Sequence, residues 1–270
     1  MAAAAASARL RTVLVTGASS GMGACIARRL LDAGERVAVV ARRTEKLTEL
    51  YGGDERAVII TADLGNMEQV ERMAGEASEA FDGQLDFFFA NAGFGTADTL
   101  ESATPATWQK LFAVNCQGVF HALKHLTPAL KAAKGCVVAT STIGATVCVP
   151  GSLPYSAVKA GMEHGMKIAA LHLAPAGVRV NVVAPGAINT DFTVAAGLTR
   201  EQADARYQAV AKNVPLGFVP GASAVADAVE FLSDAKRAAY ITGVVLPVDG
   251  GLPTTSWLAP NPNSAAAAGK

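Results

Sequence analysis

Short runs of β-branched and other apolar residues alternate along the chain with longer stretches of helical periodicity. The runs fall at 12–16, 36–41, 57–62, 85–90, 135–141, 179–184 and 243–248. Most are apolar throughout, which is the pattern of a strand covered by helices on both faces rather than one face open to water. The segments between them are long enough for crossover helices, so the pattern predicts a three-layer, doubly wound α/β fold built on a seven-stranded parallel sheet. No Pro/Gly/Ser-rich linker, shift in composition or solenoid repeat interrupts residues 10–252, and the economical reading is one domain over 10–258. The low-complexity ends, 1–9 and 259–270, are expected to be disordered.

Composition narrows the partners. Of 270 residues, 51% are hydrophobic and 17% charged, and 23 basic side chains balance 23 acidic ones. A chain without net charge has no general attraction for nucleic acid or an anionic membrane. The four cysteines, Cys25, Cys116, Cys136 and Cys148, show no CxxC spacing and sit in apolar stretches. They are expected to be buried thiols of a reducing, cytoplasmic compartment, with neither a disulfide frame nor a metal site. The longest uncharged stretch, 135–158, is broken by Thr, Ser, Gly and Pro, so no membrane span is expected. The run Ala2–Ala6 has no basic region ahead of it and makes a poor secretory leader.

In an open sheet of this kind ligands sit outside the carboxyl ends of the strands, so the residues just after each run carry the chemistry. The first run is followed by Thr16-Gly17-Ala18-Ser19-Ser20-Gly21-Met22-Gly23 and then a helical stretch. Glycines there permit a tight turn and let backbone N–H groups and a helix N-terminus approach a pyrophosphate. The second run ends in Arg42-Arg43, where a fold that prefers NAD would usually place an acid for the ribose hydroxyls. Two guanidinium groups could instead pair with a 2′-phosphate, which favours NADP(H) and leaves NAD(H) as the alternative, with Glu45 close by. Asp63-Leu64 follow the third run and Asn91-Ala92-Gly93 the fourth. The aspartate could accept from an adenine amino group, and the bare backbone at Gly93 would let a cofactor come close. Each of these has an ordinary turn-forming reading too.

Tyr155 and Lys159 lie four apart at what reads as a helix start, on one face. An ammonium there stabilises a phenolate and makes the tyrosine a usable acid/base, although such a pair is also a common amphipathic helix face. Taken together, TGxxxGxG, Asp63, Asn91-Ala92-Gly93, Asn115, Tyr155-x-x-x-Lys159 and Pro185-Gly186 resemble the short-chain dehydrogenase/reductase family in order and spacing over nearly the whole chain. The resemblance implies a Rossmann-type domain, NAD(P)(H), and an Asn, Ser, Tyr, Lys set acting on a carbonyl or secondary alcohol. By it Tyr155 is the acid/base. Lys159 lowers its pKa and binds the nicotinamide ribose, and Asn115 holds a water in the relay to Lys159. An Asn inside the helical run 108–126 is locally unfavourable, which fits a special role. The serine of the family pattern falls on Thr142, thirteen residues before Tyr155, with Ser141 its neighbour and alternative. The family's usual second Asn before Asn91 is Ala90 here.

Beyond the sixth run, Pro185, Gly186, Ile188 and Thr190 resemble the family segment that touches the nicotinamide. Residues 191–214 resemble its substrate lid: three bases oppose three acids, and Phe192, Val194, Ala195 and Ala196 suggest an apolar mouth. The expected activity is NADP(H)-linked interconversion of a small-molecule ketone, or another carbonyl, and a secondary alcohol. The alternatives are a 3-oxoacyl carrier-protein reductase, an NAD-linked alcohol dehydrogenase, and a dinucleotide-binding regulator without catalysis. The ending Val248-Asp249-Gly250-Gly251 suits the carrier-protein reductase, and Lys124, Lys131 and Lys134 could meet an acidic carrier, but 171–174 lacks the arginine expected beside them. The family further implies a homotetramer or homodimer through the helices that hold Asn115 and Tyr155.

Overall fold

The computed structural model describes residues 9–195 and 198–252. All seven expected strands form: β1 (Thr12–Thr16), β2 (Arg36–Ala41), β3 (Ala57–Thr61), β4 (Phe87–Ala90), β5 (Cys136–Thr140), β6 (Arg179–Pro185) and β7 (Val245–Val248). They run parallel in the order β3-β2-β1-β4-β5-β6-β7, a doubly wound Rossmann-type sheet. Chain direction across the sheet reverses between β1 and β4, and this switch point opens a crevice above the carboxyl ends.

The helices are α1 (Gly21–Asp32), α2 (Thr44–Tyr51), α3 (Met67–Ala80), α4 (Pro105–Phe112), α5 (Gly118–Ala133), α6 (Leu153–Leu173), α7 (Phe192–Ala195), α8 (Arg200–Ala211) and α9 (Ser223–Ser233). Strand periodicity sorts the core into two halves. Phe87 and Phe89 of β4 join Val13, Val15, Ile26 of α1 and Val229 of α9 on one side. Phe88, between them, joins Leu14, Met73 of α3, Leu126 of α5 and Met162 of α6 on the other. Both faces of the five inner strands are therefore dry, which explains why they read as unbroken apolar runs, while the edge strands β3 and β7 are mostly half-buried.

Three expectations need correction. The helical run 108–126 is not continuous: α4 passes into a π-helical turn, Ala113–Gln117, before α5 begins. The cysteines are not all buried, because Cys148 is exposed and Cys25 half-buried while Cys116 and Cys136 lie inside. Apolar neighbours in sequence did not bury Cys148, which sits on the loop ahead of α6 rather than in a strand or helix. Arg9, assigned to a disordered end, is anchored by an ion pair of 2.7 Å with Asp86 beneath β4. The rest of the 1–9 segment, the whole of 259–270, the last residues assigned to the domain, and Ala196 of the expected mouth lie outside the described residues. Among the described residues no helix is long and apolar enough to cross a membrane.

Candidate active site

Thr16, at the end of β1, ties the switch point together. Its hydroxyl oxygen accepts from the backbone N–H of Asn91 at 3.0 Å and of Ala92 at 3.1 Å. The Asn91 amide donates back to the Thr16 carbonyl at 3.0 Å, and Thr140 at the end of β5 donates to Asn91 Oδ1 at 3.3 Å. Gly17 follows with φ at +73°, and a Cβ there would lie 2.8 Å from Asn91 Nδ2. Conformation and space both demand glycine at this position.

Helix α1 starts at Gly21, with Met22 and Gly23 in its first turn. Its N-cap Ser20 makes no side-chain capping bond, and its first turn holds no acid. By contrast Asn66 caps α3 and Thr199 caps α8. First-turn N–H groups have no acceptor inside a helix, so α1 presents uncapped donors and the positive end of its dipole to the crevice. Tyr51 braces this turn from below, donating to the Ala18 carbonyl at 2.7 Å. Burial pushes the Tyr51 phenol up to about 12, against a smaller opposing effect of Arg28, so it stays a neutral donor.

The two arginines after β2 part ways. Arg43 arches over the glycine turn and donates to Ser19 Oγ at 2.8 Å and Ser20 Oγ at 3.3 Å. Arg42 is exposed and has no hydrogen bond or ion pair among the described residues. Glu45 is exposed in the first turn of α2. Asp63 is half-buried and accepts from the Gly65 N–H at 2.9 Å, beside the buried Leu64.

Gly93 brings the remaining groups together: a Cβ there would lie 2.5 Å from Asn115 Oδ1 and 3.5 Å from Lys159 Nζ. Asn115 sits in the π-helical turn, fully buried. Its Oδ1 accepts from Phe94 N–H at 3.2 Å, and its amide donates to the carbonyls of Phe94 and Leu111, each at 3.1 Å. The side chain thus fastens the 91–95 loop to the helix, and both of its donor hydrogens are engaged in doing so. Such turns insert one residue into a helix and recur at functional sites.

Tyr155, Lys159 and Glu163 form a ladder on one face of α6. Lys159 is 3% exposed and donates to the Thr140 carbonyl at 2.7 Å. Burial pulls its pKa down to about 8, while Cys116 and Glu163 push it back up. Burial also holds the Tyr155 phenol above the ordinary tyrosine range, although the ring is only partly buried. The Lys159 ammonium, expected to act on this phenol, is turned onto the Thr140 carbonyl. The Phe192 ring of α7 lies over Tyr155, centroids 6.1 Å apart and tilted by 48°.

Ser141 and Thr142 face different surroundings. Ser141 is buried beside Glu163 and helps hold that carboxyl down against the larger effect of burial, which raises it. The contact falls short of a full hydrogen bond, since Ser141 Oγ and Glu163 Oε1 are both buried without a partner. Thr142 is half-buried, and its hydroxyl oxygen accepts from the Gly144 N–H at 3.2 Å. On the far side β6 ends at Pro185; Gly186 donates to the Val248 carbonyl, Ile188 is buried, and Thr190 Oγ1 accepts from Phe192 N–H at 3.4 Å.

Sequence reasoning missed Glu163, Thr140 and Tyr51. Glu163 was findable, as it repeats the four-residue step from Tyr155 to Lys159. The other two act across distances of 19 and 33 residues, and no local pattern marks them.

A family model described as enoyl-(acyl carrier protein) reductase matches residues 17–253. The chain is 34% identical to a glucose 1-dehydrogenase of Gluconobacter oxydans, over 90% of this chain and 91% of the relative. It is 35% identical to a cis-4-hydroxycyclohexanecarboxylate dehydrogenase of Sinomonas cyclohexanicum, over 89% and 96%. Among solved structures, a short-chain dehydrogenase/reductase of unknown function from Caenorhabditis elegans, determined with cofactor, superposes with a TM-score of 0.86 and 27% identity, over 92% of this chain and 96% of that one.

Proposed function

The chain belongs to the short-chain dehydrogenase/reductase family, and from that premise we propose that it is an NADP(H)-dependent oxidoreductase interconverting a ketone or other carbonyl compound and a secondary alcohol. The observation that carries the reading is the meeting of Lys159 and Asn115 around bare Gly93 at the switch point, with the Tyr155 ring beside Gly95 and an uncapped helix N-terminus next to them.

The crevice fits a dinucleotide. Gly17, Ser19, Ser20, Gly21, Met22 and Gly23 would hold the pyrophosphate, and Asp63 and Leu64 would flank the adenine. Arg42 would pair with a 2′-phosphate while Arg43 stays braced on the two serines. Asn91, Ala92, Gly93, Pro185, Gly186, Ile188 and Thr190 would line the nicotinamide end. Bound cofactor supplies or accepts the hydride. Tyr155 gives the proton to the substrate oxygen or takes it back, and the hydroxyl of Thr142, rather than buried Ser141, steadies that oxygen. Bonds from both strengthen as the oxygen gains charge, so they stabilise the transition state more than the ground state. Lys159 would shift from Thr140 toward the ribose hydroxyls and Tyr155, and Asn115 would keep the water path to Lys159 in place.

NADPH and NADH binding to the purified protein, followed by nicotinamide fluorescence, tests the cofactor choice. Arg42→Ala should weaken NADPH roughly 10–100-fold, the worth of a charge-assisted bond, and leave NADH unchanged. Equal binding of both cofactors by the parent chain would overturn the NADP preference and favour an NAD-linked dehydrogenase. A carrier-protein substrate has its own support in Lys124, Lys131 and Lys134, all exposed on or just beyond α5. A free ketone reductase remains the better reading, since exposed Leu171 and its neighbours offer no second basic patch. Self-association as a dimer or tetramer is supported by an apolar groove of about 410 Å³ between α4 and α6, lined by Trp108, Phe112, Val158 and Gly161.

A further inference from the structure

We propose that Glu71, His121 and His125 form a site for a divalent transition metal, zinc foremost, that clamps α3 to α5. One ligand atom from each residue lies within 4.8 Å of the other two. The two imidazoles are four residues apart on α5, with ring centroids 4.6 Å apart and tilted by 60°. His125 Nδ1 lies 3.8 Å from Glu71 Oε1, too far for a hydrogen bond. It is close to the spacing of two donors on one tetrahedral metal, roughly 3.3 Å for bonds of about 2.0–2.1 Å.

The chemistry of the donors points the same way. Neither imidazole makes a hydrogen bond among the described residues, which leaves His125 Nδ1 with only its long approach to Glu71. Arg72, next to Glu71, is turned away onto Glu76 and the Thr61 carbonyl, so it does not neutralise the Glu71 carboxylate. Two imidazole nitrogens and one carboxylate oxygen suit a borderline metal better than calcium or magnesium, which favour all-oxygen shells. Water would complete four-coordination. Sequence reading weighed only cysteines as metal ligands and expected none; it passed over the His-x-x-x-His step. The cluster lies on the α3–α5 side of the fold, so the reductase reading does not depend on it.

The test uses the full chain, freed of metal with a chelator. Zinc at about a hundredfold over its dissociation constant should raise the unfolding midpoint by roughly 5 °C, and cobalt should give the visible bands of a tetrahedral nitrogen and oxygen site. His121→Ala should abolish both signals, and Glu71→Gln, a change at a largely exposed side chain that leaves folding intact, should weaken zinc about tenfold or more. A midpoint that zinc does not raise, a shift retained in His121→Ala, or an intense near-ultraviolet thiolate band placing cobalt on a cysteine would each overturn the site.

Discussion

The two sides of the crevice are held together in different ways. On the side of β1, β4 and β5, backbone and side chains lock to one another: Thr16, Asn91 and Thr140 join three strand ends, and Asn115 fastens the next loop to the π-helical turn. On the side of β6, residues 186–195 are held mainly through the backbone, by bonds from Gly186 to Val248, from Asn189 to Pro220 and from Tyr207 to the Thr190 carbonyl, and Phe192 rests on Tyr155 while still 41% exposed. The first side is thus a braced surface, and the second a wall that is partly open to solvent.

The sharpest break should come at Tyr155, the proposed proton donor. Tyr155→Phe removes one hydroxyl from the braced side and should lower turnover about 10²–10⁴-fold with dinucleotide binding unchanged; near-normal turnover would move the proton to another group. Next in size, Gly17→Val forces a side chain against Asn91 and Ala92 at positive φ. It should abolish dinucleotide binding and lower stability by about 1–3 kcal/mol, seen by fluorescence titration and chemical denaturation. Retained affinity would show that the stitching is not what shapes the cradle.

Smaller effects probe charge. Lys159 carries its proton below about pH 8, against an ordinary 10.5. A depressed value means the unfolded chain holds that proton more tightly, so Lys159 costs stability as pH falls from 10.5 through 8, and the penalty is constant below. Cofactor affinity should weaken as pH rises through about 8, where the ammonium is lost. Because the Glu163 carboxylate holds Lys159 up, Glu163→Gln should move that midpoint to lower pH while the affinity at pH 6 stays the same. An unmoved midpoint would reduce Glu163 to packing. Smallest of all, Phe192→Ala on the partly open side should change KM a few-fold, in different directions for different ketones, with kcat nearly constant.

How much of this was legible in the sequence follows the same division. Seven strands and the glycine turn could be read because apolar runs and turn chemistry are local signals. Tyr155 and Lys159 could be read because they share one helix face. The anchoring of Lys159 on Thr140, the bracing of the turn by Tyr51 and the different settings of Ser141 and Thr142 arise from pairings across the sheet, and single positions do not encode them. The parting of Arg42 from Arg43 depends on which side of the chain each faces after β2. A dipeptide of two like residues gives no hint of it.

The π-helical turn makes the asparagine's place a matter of counting. One residue beyond the regular helical tally advances everything after it by about 100°. Deleting any residue of 113–117 would leave a smoother helix, yet it would swing Val119, Leu123, Leu126 and Leu130 out of the core they now fill. Asn115 could then face Gly93, or the remainder of the helix could face the sheet, but not both. Chain length across those five residues is therefore under tighter constraint than the chemical identity of the four that flank Asn115.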